Sequence, residues 1–185
     1  ILMYDPRDQE ETLSTNVIAS RQVHRADLHK LLAESLISEG SCLRLDHRLQ
    51  KITQDTNQVK LSFTNGNIDY CDIVIGADGL KSAVRELLYS SEPANFTGFV
   101  AWRGLVDRSL VKDISLDPHF ATYSSSDKLF VRYPVRNGAL LNYVAIARKD
   151  DFLSESWAEP AEVSEVAAQF SDWHKDVSDI ILATP

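Results

Sequence analysis

The chain has 185 residues, of which 44% are hydrophobic and 25% charged, a composition typical of a globular protein with a real core. Its 19 basic and 27 acidic residues give a net charge of −8, and the basic residues are scattered, so nucleic-acid binding has no electrostatic support. The uncharged apolar runs are too short to span a membrane, and no signal peptide is recognisable, so a membrane partner is not expected either.

The cysteines and histidines predict neither a disulfide framework nor a metal site. Cys42 and Cys71 form no CxxC motif, and each has an apolar, strand-like context, which favours two reduced, buried thiols over one disulfide. The five histidines do not combine with them at metal-ligand spacing. Reduced thiols are typical of a cytoplasmic protein.

The N-terminal part of the chain predicts extended segments followed by a helix. Residues 1–23 contain two extended stretches around a polar turn, the second at 17–23. From Arg25, leucines repeat at intervals of three and four residues, and Gly40 supplies a C-cap, which predicts a helix between them. Arg25 then lies at the helix entrance, where most arginines are solvated and paired with a nearby acid such as Asp27.

Residues 42–71 predict an antiparallel meander. Apolar and polar residues alternate over 42–53, again over 59–63 and again from Ile68, and Asn65-Gly66 is a strong two-residue hairpin signal. The meander therefore comes directly before the next apolar run of the chain.

That apolar run, Ile73–Ile75, predicts a buried parallel strand that ends in the tight turn 76–79, Gly-Ala-Asp-Gly. A helical pattern opens at Ser82, a plausible N-cap. A strand, a turn and a helix N-terminus in this order can bring backbone N–H groups and one carboxylate, Asp78, to a nucleotide. The alternative is an ordinary strand-to-helix turn, since a lone glycine-rich turn is weak evidence.

A turn-rich segment around residues 90–95 predicts a boundary between a domain at 1–90 and one at 91–185. Strands are predicted in the second half at 96–106, 120–124, 129–135 and 139–147, and helices at 161–173 and 177–183. Pro134 predicts that its strand lies at an edge, is bulged or ends there. The fold class is therefore α/β, with an α+β second half.

Two motifs resemble those of FAD-dependent aromatic hydroxylases, the salicylate-hydroxylase-like flavoprotein monooxygenases. They are Asp-Ile-Val-Ile-Gly-Ala-Asp-Gly-x-x-Ser-x-Val-Arg at 72–85 and His-Arg-Ala-Asp-Leu at 24–28. The resemblance implies a partial FAD-binding Rossmann-like domain with an inserted antiparallel meander, then a substrate domain with a mixed or antiparallel sheet. It also implies that Asp78 lies near the FAD ribose and pyrophosphate, that Arg25 binds the pyrophosphate–ribityl region, and that the main chain at Leu49 approaches the adenine.

Two strands of the second half resemble the substrate-domain strands of the same family, Ala-Trp-Arg-Gly-Leu-Val from residue 101 and Phe-Val-Arg-Tyr-Pro-Val-x-x-Gly-x-Leu-x-Asn from residue 130. The resemblance implies that Arg103 and Tyr133 hold a phenolic acid or aromatic polyketide. The enzyme would hydroxylate this substrate through a C4a-hydroperoxyflavin, using O2 and either NADH or NADPH. A guanidinium would lower the pKa of the substrate phenol, and a tyrosine hydroxyl would orient it. Without the resemblance, Arg103 is a snorkelling edge residue and Tyr133 a core aromatic. Trp102 and Arg132 depart from the family pattern and leave the size and polarity of the substrate open.

The same resemblance implies segments that this chain lacks. None of its seven glycines fits GxGxxG, and no second Gly-Asp follows the substrate strands. We therefore expect an internal fragment that alone binds FAD weakly and does not turn over. The expected partners are a small aromatic substrate, the missing N- and C-terminal segments of the same protein, and a second copy in a homodimer. The alternatives are a non-catalytic flavin-fold remnant that acts as an interaction module, and a related flavin oxidase or quinone-biosynthesis hydroxylase.

Overall fold

The computed structural model describes residues 2–4, 11–13, 21–89, 92, 95–149 and 160–185, and for 2–4 and 11–13 it describes the backbone. The chain forms two compact units, Ile1–His29 with Phe96–Pro185, and Lys30–Asn95. The predicted polar turn before residue 10, most of the stretch 17–23 and the segment 150–159 lie outside the described residues.

The regular elements follow the order β–β–α–β–β–β–α–β–β–β–β–α–α. They are β1 (Leu2–Tyr4), β2 (Glu11–Leu13), α1 (Arg25–Ser38), β3 (Leu49–Gln54), β4 (Val59–Phe63), β5 (Ile68–Cys71), α2 (Ala83–Leu88), β6 (Phe99–Asp107), β7 (Ala121–Ser124), β8 (Lys128–Val135), β9 (Leu140–Arg148), α3 (Val163–Gln169) and α4 (Lys175–Leu182).

The first unit is built on a six-stranded mixed sheet in the order β2-β1-β7-β8-β9-β6. β1 and β7 are parallel, and all the other neighbours are antiparallel. In the turn between β8 and β9, the N–H of Gly138 donates to the carbonyl oxygen of Val135, and the two central residues, Arg136 and Asn137, have φ 52° and 55°, both in the left-handed region. The four strands predicted in the second half are confirmed, with small shifts of their ends.

One face of this sheet is the core of the first unit. Along β9, Leu141, Tyr143, Ala145 and Ala147 are buried and alternate with half-buried residues. Helices α3 and α4 and the segment between them pack against this core face with buried apolar residues: Val166 of α3, Phe170 and Trp173 of the connecting segment, and Val177, Ile180 and Ile181 of α4. Both predicted helices are present, but the first, predicted at 161–173, ends at Gln169.

The opposite face of strands β6, β9 and β8, here called the open face, carries the half-buried and exposed residues that alternate with the core residues. Its members are Ala101, Arg103 and Leu105 of β6, Asn142, Val144 and Ile146 of β9, and Leu129, Val131 and Tyr133 of β8. Cross-strand pairing puts residues that face each other on one side of the sheet, so these nine side chains share a surface.

Pro134 lies one residue before the end of β8, in agreement with the predicted possibility that its strand ends there. The pairing of β7 with β8 runs only from Ser124↔Leu129 to Ala121↔Arg132, so it stops before the proline. The missing N–H of Pro134 therefore costs no hydrogen bond in this ladder.

The second unit contains a three-stranded antiparallel sheet in the order β3-β4-β5. Asn65-Gly66 makes the β4–β5 turn, where Gly66 has φ 87°. The meander is confirmed, but its first strand begins at Leu49 rather than at residue 42. Residues 41–48 alternate in polarity but form no strand, because the partners of β4 begin at Leu49.

The buried strand predicted at Ile73–Ile75 is wrong for the described chain. Residues 73–79 belong to no helix or strand, and the Ile73 and Ile75 side chains are 79% and 86% exposed. A β-branched run has strand propensity, but a strand also needs a hydrogen-bonded neighbour, and no described strand pairs with these residues. Helix α1 shows the same pattern, since Leu31 is 66% exposed although its spacing correctly predicted the helix.

Both cysteines are free thiols, as predicted, but the prediction that they are buried is wrong. Cys42 is exposed because it precedes β3 in an irregular segment, and Cys71 is half-buried at the end of β5. No described helix is long and apolar enough to cross a membrane.

Replacing Gly104 with alanine should destabilise the first unit. A Cβ at Gly104 would lie 2.1 Å from Cε1 of Tyr143, whose buried ring stacks on Phe130 at 5.3 Å between centroids and whose hydroxyl lies 3.0 Å from Thr184 Oγ1. Because the ring cannot move freely, we expect a loss of about 1–3 kcal/mol. Urea unfolding of the full-length protein measures it.

The matched control for this substitution is Ala101→Ser, on the open face of the same strand. It should change the unfolding midpoint little. Equal midpoints for Gly104→Ala and the native protein would contradict the close approach of Tyr143 to β6.

Candidate active site

Asp78 is turned back onto the helix that follows it. Its carboxylate accepts a 2.5 Å hydrogen bond from Ser82 Oγ and a 3.1 Å hydrogen bond from the backbone N–H of Val84. The Ser82 hydroxyl oxygen in turn accepts from the N–H of Arg85 at 3.0 Å, which confirms Ser82 as the N-cap of α2. The bonds from Ser82 and then Val84 lower the pKa of Asp78, so the group is a carboxylate at neutral pH.

The glycines around Asp78 serve the same turn. A Cβ at Gly76 would lie 2.9 Å from Cγ1 of Val84, so the chain entering the turn passes directly against α2. Gly79 has φ 79°, a region that glycine adopts without strain. The Gly-Ala-Asp-Gly signal therefore predicted a tight turn against a helix correctly, although the strand before it is not formed.

Leu49 lies in the same unit as Asp78. It opens β3, pairs with Phe63, and is followed by a register shift before Lys51. β3 is an edge strand of the described three-stranded sheet, and α2 packs against it. An edge strand presents backbone N–H and C=O groups outward, which is the type of contact predicted for Leu49.

Arg25 is the first residue of α1, and its side chain is exposed. Two residues later, Asp27 accepts 2.8 Å hydrogen bonds from both Nε and Nη2 of Arg136. Arg136 stands in the β8–β9 turn with φ 52°. This bidentate pair fastens the helix entrance to the sheet of the first unit. Sequence reasoning missed it, because nothing local connects two residues 109 positions apart.

Arg103 and Tyr133 share the open face of the sheet. Arg103 pairs with Val144 and Tyr133 with Asn142, so β9 runs between the strands that carry them. Two strand spacings of about 4.8 Å put the backbones of β6 and β8 about 10 Å apart, with Asn142 and Val144 of β9 between them. The Tyr133 ring stacks on Phe120, with 5.9 Å between centroids and 7° between planes.

The two departures from the family pattern, Trp102 and Arg132, do not lie on the open face. Trp102 pairs with Ala145 and packs against the core. Arg132 pairs with Tyr143 and is only 2% exposed. Its Nη1 donates to the carbonyl oxygen of Pro118 at 3.3 Å, while its Nε has no partner among the described residues. Both substitutions therefore change the core face rather than the surface that carries Arg103 and Tyr133.

An open cleft of about 440 Å³ lies at the end of β8, within the first unit. Its lining includes Gln22, His119, Pro134 and Arg136, but neither Arg103 nor Tyr133. Within the part of the chain that the structure describes, no three acidic, histidine or cysteine side chains are grouped to hold a metal ion.

Comparison with known families decides the relationship. The model of the FAD binding domain matches residues 5–178, nearly the whole chain. The chain belongs to this family. The predicted recognition of a salicylate-hydroxylase-like flavoprotein is confirmed.

Curated relatives of this FAD-binding domain are monooxygenases. It is 31% identical over 165 residues to 6-hydroxynicotinate 3-monooxygenase of Bordetella bronchiseptica, covering 88% of this chain and 42% of that protein. It is 30% identical over 175 residues to salicylate hydroxylase of Pseudomonas putida, covering 84% and 40%. The chain thus spans about two fifths of the length of these relatives.

Solved structures confirm the predicted fold class. A salicylate hydroxylase substrate complex aligns over 99% of this FAD-binding domain and 49% of the other chain, with a TM-score of 0.76 and 24% identity. CtdE in complex with FAD and substrate 4 aligns over 100% and 48%, with a TM-score of 0.84 and 17% identity. At these identities the matches establish the fold.

Removing the Ser82 hydroxyl should both loosen α2 and raise the pKa of Asp78. Ser82→Ala deletes the N-cap, which costs about 1 kcal/mol of helix stability, and deletes the larger cause of the lowered pKa. We expect faster amide exchange at Arg85 and an Asp78 pKa moved up towards 3.8. NMR titration of the Asp78 carboxyl carbon measures the pKa.

The pH dependence of this effect follows from linkage. Because the folded pKa of Asp78 is lowered, its stabilising effect is present above the unfolded pKa and is lost as pH falls through the folded pKa. The control is Ser41→Ala, an exposed serine of the same unit beyond the end of α1, which should leave the Asp78 pKa unchanged. An unchanged pKa in Ser82→Ala would contradict the assigned cause.

Proposed function

We propose that the full-length protein containing this chain is an FAD-dependent monooxygenase that hydroxylates a phenolic acid or related aromatic ring with NADH or NADPH and O2. The observation that carries the proposal is the family match over residues 5–178, which includes the turn that holds Asp78. A related flavin oxidase is the alternative that shares this turn.

The residues around Asp78 fit a dinucleotide. A carboxylate offers about four acceptor sites, and the bonds from Ser82 and Val84 use two of them, so acceptor capacity remains for ribose hydroxyls. The lowered pKa favours the ionised form, which accepts hydrogen bonds. The glycines on either side keep Cβ atoms away from the turn, which suits close approach of a phosphate-linked ligand.

Arg25 and Leu49 complete the proposed cofactor set. Arg25 offers a planar fork of N–H donors, the geometry that suits phosphate oxygens. Leu49 offers backbone groups at the edge of β3, which suit the hydrogen-bonding edge of adenine. The bound FAD supplies the oxygen-activating chemistry, with the nicotinamide as the source of the reducing equivalents.

On the open face, Arg103 and Tyr133 are proposed to hold the substrate. A guanidinium beside a phenol oxygen stabilises the phenolate, which makes the ring a better nucleophile towards electrophilic oxygen. A tyrosine hydroxyl at the same oxygen fixes the plane of the ring, and the stack of Tyr133 on Phe120 limits the motion of that hydroxyl. Both residues therefore act on charge and orientation.

The names of the relatives narrow the substrate class. Several of them are named as monooxygenases or hydroxylases of 6-hydroxynicotinate, 3-amino-4-hydroxybenzoate and salicylate, each a hydroxylated ring with a carboxylate, whereas another is a hispidin hydroxylase. This supports a small phenolic acid over a polyketide.

We also propose a cytoplasmic protein, which the free cysteines support. Residues 1–90 are proposed to serve the cofactor and 91–185 the substrate.

Anaerobic reduction of the full-length flavoprotein by NADH and by NADPH tests the proposal. We expect bleaching of the oxidised flavin absorption to accelerate when phenolic acids are added, and a hydroxylated product to form when air is admitted. Absence of bound flavin, or flavin reoxidation without a hydroxylated product for every phenolic acid, would contradict the hydroxylase function. Formation of hydrogen peroxide without a hydroxylated product would favour the oxidase alternative.

Arg103→Ala should lose hydroxylation but keep FAD. Loss of a charge-assisted hydrogen bond to a phenolate corresponds to about a 10- to 100-fold drop in kcat/KM. Arg148→Ala, an exposed arginine at the end of β9, is the matched control and should retain activity. Product assays with a flavin spectrum of each variant measure both properties. Equal loss of flavin and activity in Arg103→Ala would make the residue structural.

A further inference from the structure

Asn142 lies between the two proposed substrate residues. In the ladder of β6, β9 and β8, it pairs with Leu105 on one side and with Tyr133 on the other. The next residue of β9 on the same face, Val144, pairs with Arg103. Asn142 is therefore directly opposite the phenol and diagonal to the guanidinium, at a spacing that long side chains can bridge.

The alternation of β9 directs the Asn142 side chain to the open face. Its neighbours in sequence, Leu141 and Tyr143, are 0% and 3% exposed and belong to the core, whereas Asn142 is half-buried. Successive side chains of a strand point to opposite faces, so Asn142 shares the face of Tyr133.

Apart from Tyr133 and Arg103, the paired and diagonal neighbours of this amide on the open face are apolar. Leu105, Val131 and Val144 flank it on the open face. Among the described residues, no group forms a hydrogen bond with the Asn142 side chain. An amide in such surroundings gains free energy when a polar partner binds to it, and it can donate through its NH2 group and accept through its oxygen.

We propose that Asn142 determines substrate specificity by binding the second polar group of the ring, the carboxylate that Arg103 and Tyr133 do not hold. The NH2 group donates to a carboxylate oxygen, while Arg103 and Tyr133 bind the phenol oxygen. Two fixed points on one ring set its rotation within its plane and so select the carbon that is hydroxylated. This rests on the proposed function, because it deepens the assignment of the same face.

A neutral amide suits this task beside a guanidinium. A second cation at this position would bind the carboxylate more tightly but would also compete with Arg103 for the phenolate. The ring could then bind in either orientation. An acceptor-only carboxylate would repel the acid. The amide thus distinguishes the two ends of a phenolic acid by hydrogen bonding rather than by charge.

The test compares phenol with the hydroxybenzoate isomer that binds the native full-length flavoprotein most tightly. Dissociation constants come from the change in flavin absorption on titration. Asn142→Leu, of similar volume but without hydrogen-bonding groups, should weaken hydroxybenzoate binding about 10- to 100-fold and leave phenol binding within about twofold. Asn142→Asp should weaken the hydroxybenzoate at least as much, because it adds repulsion, and should still bind phenol.

The matched control is Ile146→Val, further along the same face of β9, which should bind both ligands as the native protein does. Equal weakening of phenol and hydroxybenzoate in Asn142→Leu, or no weakening of either, would overturn the specificity role while native hydroxylation persists. Failure of the native protein to bind flavin or hydroxylate any phenolic acid is a separate result that overturns the proposed function itself. A variant without bound flavin is replaced by Asn142→Ser, which is smaller and is judged by the same ratio.

Discussion

The antiparallel ladder of β6, β9 and β8 is the constraint on which the first unit depends. Residues 140–147 of β9 are paired on both sides, so a shift of β9 by one position would turn its core side chains to the open face. Burial of Leu141, Tyr143 and Ala145 under α3 and α4 excludes such a shift, because it would bring Asn142 into the core. The same packing that stabilises the core therefore assigns Arg103 and Tyr133 to one surface.

The close fit between Gly104 and Tyr143 illustrates how the two faces are linked. Tyr143 fills the space that a side chain at 104 would need, and burial raises the pKa of its hydroxyl despite the bond to Thr184. Arg103 is the neighbour of Gly104 on the other face, so the glycine lets β6 lie flat against the aromatic core directly beneath the proposed substrate residue. Stability and placement of the site have one cause here.

Asp78, in contrast, is held by local contacts, because its described hydrogen bonds are all to residues close in sequence. Ser82 and Val84 lie within six residues of it, so the turn and the helix N-terminus form one small hydrogen-bonded structure. Such a structure needs little support from the rest of the fold, and it is formed although the apolar run before it is exposed. A local motif of this kind keeps its sequence signal, which is why it can reveal a family in a chain that spans two fifths of its relatives.

The sequence by itself determined the elements whose causes are local: the α1 periodicity, the Asn65-Gly66 turn, the Ser82 cap, the strands of the second half and the family motifs. Tertiary structure decided what depends on distant partners. It left Ile73 and Ile75 outside any described sheet, began β3 at Leu49, exposed Cys42, and assigned Trp102 and Arg132 to the core face. It also joined Asp27 to Arg136 and set Asn142 between Leu105 and Tyr133. The physical reason is that capping and turn formation use neighbours within a few residues, whereas burial and strand pairing depend on which segment of the chain lies alongside.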